Sequence, residues 1–456
     1  MFSDPFSGIG YTRGNLTERV AMTLRSLAPA LLAVSLATAF AASAPQAAVT
    51  PAAGDGTVLI RAARLLDVRS GKWIENPSIR VENGRITSVA SGGEPAPGER
   101  VIDLAGMSLL PGLIDMHTHL DSDPSYGGYT HLQFTDRFWS MLSVKHAGET
   151  LDAGFTTVRN VGSDSWNDVG LRQAVDEGKI RGPRIVSAGY SFGATGGHCD
   201  STFFPPSFDA KSPYNADSPD EARKRVREIR KHGAQVIKIC ATGGVFSRNT
   251  EPGQQQMREE EMRAVVEEAH QWGLKVAAHA HGASGINAAI RAGVDTIEHA
   301  SLIDAEGIQL AKKNGTWLSM DIYNTEYTQS EGRKNGVLED NLRKDREVAD
   351  IQRENFRRAH QAGVRMVYGT DSGVHRHGDN GRQFAWMVRY GMTPLQAIQA
   401  ATVNSAEALG RNDVGVAEVG RWADLVAVNG DPTANVALLE AIPVVIKGGV
   451  VEKDAR

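Results

Sequence analysis

Through the middle of the chain one pattern recurs: a segment with apolar residues at helical spacing, a glycine, one or two residues, then a short β-branched run. The glycines are Gly154 before Phe-Thr-Thr-Val, Gly233 before Ala-Gln-Val-Ile, Gly273 before Leu-Lys-Val-Ala, Gly293 before Val-Asp-Thr-Ile, Gly315 before Thr-Trp-Leu-Ser and Gly363 before Val-Arg-Met-Val. Glycine just past a helix supplies a left-handed cap, and the apolar runs are short enough to be parallel strands buried on both faces. Helix starts agree, because Ser218-Pro219-Asp220-Glu221 joins an N-cap serine to proline at the first helical position and an acid three residues on. Met262, Val265, Val266, Ala269 and Trp272 mark one apolar helical face. The pattern predicts strands near 112–119, 156–160, 184–188, 236–241, 275–281, 296–299, 317–320 and 365–370. Eight strands alternating with helices predict an α/β fold, a (β/α)8 TIM barrel over residues 111–410.

The two flanks have a different period. Val58 to Val68, Ser78-Ile-Arg-Val and the turn signal Glu82-Asn-Gly-Arg read as strands and a hairpin, and the C-terminus echoes them with Asp424-Leu-Val-Ala-Val and Val444-Val-Ile-Lys. Residues 57–110 and 411–456 are expected to pair into one small β-sandwich domain. A length of 456 residues with 41% hydrophobic content accommodates one catalytic and one accessory domain.

Residues 1–48 read as a signal peptide with an N-terminal extension: Arg25, an apolar run from Leu27 to Phe40, then Ala42-Ser43-Ala44 as a cleavage site. The run is shorter than the roughly 20 apolar residues of a spanning helix, so no permanent membrane anchor is expected and the protein is placed outside the cytoplasm, secreted or periplasmic. Met22 offers a second start site. The net charge of −5 comes without a dense Lys/Arg block, which argues against nucleic acid as a partner. Cys199 and Cys240 are the only cysteines; they read as two separate thiols, with one Cys199–Cys240 bridge as the alternative.

The candidate chemistry sits at the ends of the predicted strands. His117 and His119 are two residues apart after Leu109-Leu-Pro-Gly-Leu-Ile-Asp-Met, so both imidazoles face one way, inward at the C-terminal end of a barrel strand. His279, His299 and Asp371 each close a later strand and converge on the same mouth. Imidazole nitrogen and carboxylate oxygen suit divalent ions, Zn2+ first, with Mn2+, Fe2+ or Co2+ as substitutes. Lys238 stands mid-strand in Gln235-Val-Ile-Lys-Ile-Cys, where a buried lysine must be paired, deprotonated or modified.

These features, Pro-Gly-Leu-Ile-Asp-Met-His-Thr-His, the strand lysine followed by Ala-Thr-Gly-Gly, Ala-Ala-His-Ala-His-Gly, Asp-Thr-Ile-Glu-His and Tyr-Gly-Thr-Asp, resemble the amidohydrolase superfamily from about residue 57 to the end. The combination is most similar to its prolidase-like and carboxypeptidase-like members, the group that includes ochratoxin-hydrolysing amidases. The resemblance implies that His117, His119 and Asp371 hold one metal, His279 and His299 a second, and Lys238, as a carbamate, bridges both. It further implies that Asp371 takes the proton of the attacking water and returns it to the leaving nitrogen. His281 is assigned to carbonyl polarisation or substrate binding, with the reverse assignment, His281 as ligand and His279 beneath it, left open. His198 resembles a substrate-pocket histidine, and Arg248 and Tyr323 are candidates for a substrate carboxylate and the scissile carbonyl. Phe246 and Trp317 are expected to line the pocket, and His375 and His377 either its entrance or the surface.

The expected function is a binuclear metal-dependent hydrolase of amide or peptide bonds beside a terminal amino acid: N-acyl amino acids, dipeptides and ochratoxin-type amides. A cyclic-amide or imidazolone hydrolase is the alternative enzyme, and a non-catalytic structural homologue the alternative outside enzymes. Homo-oligomerisation is expected by fold analogy alone.

Overall fold

The computed structural model describes residues 56–456, so the leader expected over 1–48 lies outside the described residues. The glycine pattern translates directly into backbone geometry. All six repeat glycines have positive φ, and Gly293 (97°) and Gly315 (71°) stand directly after the helices Ala283–Ala292 and Ala305–Asn314 as their left-handed caps. Ser218 caps the helix Pro219–Lys231 by accepting from the Glu221 amide at 3.3 Å.

Strands β1 (Val58–Asp67), β2 (Lys72–Glu75), β3 (Pro77–Glu82), β4 (Arg85–Ser91) and β5 (Arg100–Pro111) come first in the chain. There follow β6 (Leu113–Thr118), β7 (Phe155–Asn160), β8 (Arg184–Ser187), β9 (Val236–Cys240), β10 (Lys275–Ala280), β11 (Thr296–His299), β12 (Trp317–Ser319) and β13 (Met366–Val367). β14 (Leu425–Asn429), β15 (Val444–Lys447) and β16 (Val450–Asp454) complete the set. The eight strands β6 to β13 coincide with the eight expected from the repeat.

β6-β7-β8 form one parallel sheet and β9 to β13 another. Backbone hydrogen bonds link their edges on both sides. Between β8 and β9, Phe192 donates to Lys238 O (3.2 Å) and accepts from Cys240 N (2.9 Å); between β13 and β6, Met116 N donates to Tyr368 O and Asp371 N to His117 O, each at 2.8 Å.

The two chain ends pair as expected into one unit. Hydrogen bonding runs through it as a single eight-strand sheet, β16-β15-β14-β5-β1-β3-β4 with β2 beside β1, rather than as two separately bonded layers. Its hairpin turn has Asn83 at φ 50° and Gly84 at φ 76°, the doubly left-handed turn that Asn-Gly favours.

Two expectations are corrected. Cys199 and Cys240 form a disulfide, with Cα atoms 5.8 Å apart, because the connection after β8 folds back over the end of β9. A separation of 41 residues gave no hint of that approach. Trp272 does not share the buried face of Met262, Val265, Val266 and Ala269: it follows the last turn of Glu259–Gln271, is 45% exposed, and stacks under Arg230. Among the described residues no helix is long and apolar enough to cross a membrane.

Candidate metal centre

Parallel strands buried on both faces leave polar side chains only two outlets, pairing with one another or converging at a strand end. Both occur here. His117 and His119, at the end of β6, bring their Nε2 atoms to 3.3 and 3.4 Å from Asp371 Oδ1. His279, His281 and His299 form a second group, and His299, Asp321 and Asp371 a third; within each group the potential donor atoms lie within 4.8 Å of one another. His299 and Asp371 have left-handed backbones, φ 68° and 58°, where the chain turns sharply out of the strand and aims the side chain inward. Such strain costs on the order of 1–3 kcal/mol per residue and is typical of functional sites.

Each imidazole has one nitrogen anchored, which leaves the other for a ligand. His117 Nδ1 donates to Glu298 Oε2 (3.0 Å), His119 Nδ1 to Gly162 O (3.0 Å) and His299 Nδ1 to Asp321 Oδ1 (2.9 Å). His279 is held from the opposite nitrogen, Nε2 donating to Gly243 O at 3.2 Å. His281 Nδ1 shares a hydrogen bond with Ser301 Oγ at 2.8 Å. Fixing one ring nitrogen with a carboxylate or carbonyl is how proteins orient metal-binding histidines, so the donor set fits divalent ions.

Behind His117 stands a buried network. Arg159 donates from Nη2 to Glu298 Oε1 (2.6 Å), from Nη1 to Thr296 Oγ1 (2.9 Å) and from Nε to Met116 O (2.6 Å). Burial alone would raise the Glu298 pKa, but Arg159 and His117 outweigh it and hold the carboxyl well below the usual range. Asp371 behaves likewise: burial opposes ionisation, and His117 and His119 hold it ionised. Burial lowers Lys238 to about 8, against Glu298 and Asp371, which act to raise it. Those two carboxylates pair instead with Arg159 and the histidines, so Lys238 is not neutralised by a private partner.

One cavity of about 200 Å³ is lined by all six expected ligands, His117, His119, Lys238, His279, His299 and Asp371. His281, His198 and Phe246 line it too. His198 stacks on His279 with centroids 4.1 Å apart. The rings of His279 and His281 are each 4.6 Å from that of His299, so ring spacing leaves both assignments of this pair open.

Five other candidates stand elsewhere. Arg248 lines a separate aromatic hollow of about 520 Å³ with Tyr129, Phe203 and Phe208, its guanidinium hydrogen-bonded to the Tyr129 hydroxyl. Tyr323 is buried against His375. Trp317 is the first residue of β12, at the far end of the strands, packed with Ile114 and Met116 and covered by Arg365. His375 and His377 are neither at the entrance nor on the surface: both are buried, His377 stacked on His146 at 4.3 Å.

Arg159 and Asp321 were not anticipated. The signal existed for Arg159, a charge inside the apolar run Phe155-Thr-Thr-Val-Arg, of the kind that singled out Lys238. Asp321 had no comparable signal, because it lies just beyond a three-residue strand.

Compared with known proteins, the chain matches the model of the Amidohydrolase family over residues 108–451. It is 32% identical over 364 residues to an ochratoxinase of Aspergillus niger, covering 75% of each chain. Among solved structures it is similar to a Xaa-Pro dipeptidase with methionine bound in the active site, with a TM-score of 0.82 and 36% identity over 87% of this chain and 99% of that one. A prolidase complexed with N-methylphosphonate-L-proline is similar at TM-score 0.81 and 28% identity, over 87% of this chain and all of that one.

Proposed function

The chain belongs to the amidohydrolase family and is a metal-dependent amidohydrolase, and from that premise we propose that it hydrolyses the amide or peptide bond beside a terminal amino acid. The observation that carries this reading is the convergence of six donor residues and two further histidines on one cavity. The activities for which the similar proteins are named, dipeptidase, prolidase and ochratoxinase, all concern bonds of that type. The linked edges of the two parallel sheets support a closed (β/α)8 barrel over 111–410, and the terminal sheet, with its own apolar cluster, a sandwich from 57–110 and 411–456. A disulfide within the described residues supports a secreted or periplasmic location.

His117, His119 and Asp371 would hold one ion and His279 and His299 the second, and Lys238, as a carbamate, would contribute a singly charged carboxylate to both. Two such ions, Zn2+ by donor type, would supply Lewis acidity and an activated water. The chain's own groups do the rest. Asp371, kept ionised, accepts the proton of the attacking water and delivers it to the leaving nitrogen. His281, with Nδ1 engaged by Ser301, turns Nε2 toward the scissile carbonyl. His198 is the cavity's candidate for the substrate carboxylate, since Arg248 lies outside it.

That absence of a guanidinium from the cavity lining favours one second reading, a cyclic-amide hydrolase, which needs no carboxylate recognition. The test is kcat/KM for N-acetylphenylalanine, its carboxamide and a cyclic imide. Selective cleavage of the free acid by roughly ten- to a hundredfold, the worth of a buried charge-assisted hydrogen bond, supports the first reading. Equal rates for acid and carboxamide, or preference for the imide, overturn it.

A further inference from the structure

We infer that the Cys199–Cys240 disulfide positions His198 in the substrate cavity, and so sets substrate affinity; the inference rests on the proposed amide-hydrolase reading. The bridge lies within the site. Both cysteines line the same cavity as the metal-binding candidates, Cys199 directly after His198 and Cys240 two residues after Lys238 on the same strand. The crosslink therefore ties the backbone beside a substrate-facing imidazole to the strand that carries the cavity's lysine.

The chain needs such a tie here. The connection 188–218 contains no regular element longer than the turn Pro206–Phe208, and long connections of this kind are held either by packing or by specific fasteners. Its start is fixed by Phe192, which hydrogen-bonds β9. Farther along, many of its hydrogen bonds are internal: Ala216 N to Gly193 O, Thr195 Oγ1 to Asp217, and Gly196 N to Asp200. The hydrogen bonds of His198 itself run to Gln256, which accepts from its amide at 2.8 Å, and to Ser247, 2.8 Å from its Nδ1. Both partners belong to another irregular stretch, 241–258, whereas the disulfide ends on a residue of strand β9. The covalent bond ties the backbone beside His198 to the rigid part of the site, where its ring stacks on His279 of β10.

The placement is close enough for small shifts to matter. The His198 ring lies 4.1 Å from that of His279 with 20° between planes, and a Cβ at Gly244 would stand 2.3 Å from its ring. Relaxing the loop by about 1 Å is enough to weaken a charge-assisted hydrogen bond to a substrate carboxylate, worth roughly ten- to a hundredfold in affinity. Because His198 faces substrate and is not among the expected metal donors, the effect falls on KM. Metal content stays as it was.

The test is the double variant Cys199→Ala/Cys240→Ala, alone and combined with His198→Ala, in the metal-loaded full chain. Expected are a roughly tenfold rise in KM for N-acyl amino acids, kcat within about threefold, and unchanged metal stoichiometry. In the His198→Ala background, removing the bridge should add less than twofold to KM, since coupled residues are non-additive. Hydrogen exchange gives a readout that needs no turnover: amides 194–203 should exchange faster without the bridge, while 275–281 stay protected. If the double variant does not fold, phosphine reduction of the folded wild type, checked by titrating two thiols per chain, produces the same state. Unchanged exchange at 194–203, loss of metal with KM unaltered, or fully additive effects would overturn the inference. If no amide is turned over by the wild type, the functional reading fails, and the exchange measurement still decides whether the bridge orders His198.

Discussion

The terminal sheet and the eight parallel strands bury their residues under opposite rules. In the sheet, β3 from Ile79 to Glu82 and β5 from Val101 to Ala105 alternate between core and more open positions, and the buried side chains of β1, β3 and β5 are apolar apart from the uncharged Ser78 and Ser108. In β6, β7, β9 and β11 every residue is buried, yet Asp115, His117, Arg159, Lys238, Glu298 and His299 are among them. Unpaired, such groups would cost several kcal/mol each. They persist because each is tied to another or turned toward one cavity. The sheet is organised for stability, and the strand ends spend stability on chemistry.

The largest expected effects test the second half of that statement. Lys238→Ala should abolish metal binding and turnover together, with partial rescue by a short carboxylic acid such as acetate. Full metal content in this variant, measured by elemental analysis, would remove the bridging role. Asp371→Asn should lower kcat by at least about 10²-fold, the smaller end of general-base contributions, while much of the metal stays bound. Retention of more than a tenth of the wild-type rate would direct attention to His281 as the base.

A step smaller is the network behind His117. Arg159→Met removes the cation paired with the fully buried Glu298 and leaves only His117 and Thr296 as its partners, which should destabilise the fold by about 3–5 kcal/mol and weaken metal binding by roughly 10–100-fold. Urea denaturation and competitive metal titration measure both. A variant of unchanged stability would show that His117 and the neighbouring dipoles suffice for Glu298.

Acidity separates the two regions further. Burial, with Lys238 adding to it, lowers His117 to about 4 against Asp371 and Glu298, so the native state resists a proton that the unfolded chain takes up near 6.5. Its contribution is complete above 6.5 and is lost as pH falls to 4, on the order of 3 kcal/mol. Asp371, held below the carboxylate range, acts in the same direction. Asp115 opposes them: burial raises it to about 6 despite Thr370 and Asn380, so its contribution is present below 3.8 and lost as pH rises through 6. Metal-free protein should therefore lose stability from pH 7 to 5, with β6 exchanging its amides before β1. Equal exchange in the two strands would erase the distinction.

How much of this was legible follows from what a period can encode. Gly293 and Gly315 announced helix ends because only the backbone conformation mattered, and the strands followed from them. The convergence of His117, His119, Lys238, His279, His299 and Asp371 on one cavity was legible because five of them stand at the ends of apolar runs and Lys238 interrupts one. The contacts of Arg248, Tyr323 and Trp317 were not, since loop paths and the near or far end of a three-residue strand leave no periodic trace. The disulfide and Asp321 depend likewise on how connections fold back after their strands.

The smallest predicted effect tests the sheet's side of the comparison. Ile60 is fully buried in β1, facing Ile79 of β3 on one side and Ile102 of β5 on the other. Ile60→Val removes one methylene from this apolar layer and should cost about 0.5–1.5 kcal/mol, read from the denaturation midpoint at unchanged slope. Nothing in that layer hydrogen-bonds a cavity residue, so kcat, KM and metal content should match wild type once the folded fraction is equal. Matching kinetics alongside a measurable stability loss would confirm that the sheet supports the site without tuning it. A several-fold change in KM or metal affinity would instead mean that packing in β1 is transmitted through β5 into β6, which follows it after a single residue and carries His117.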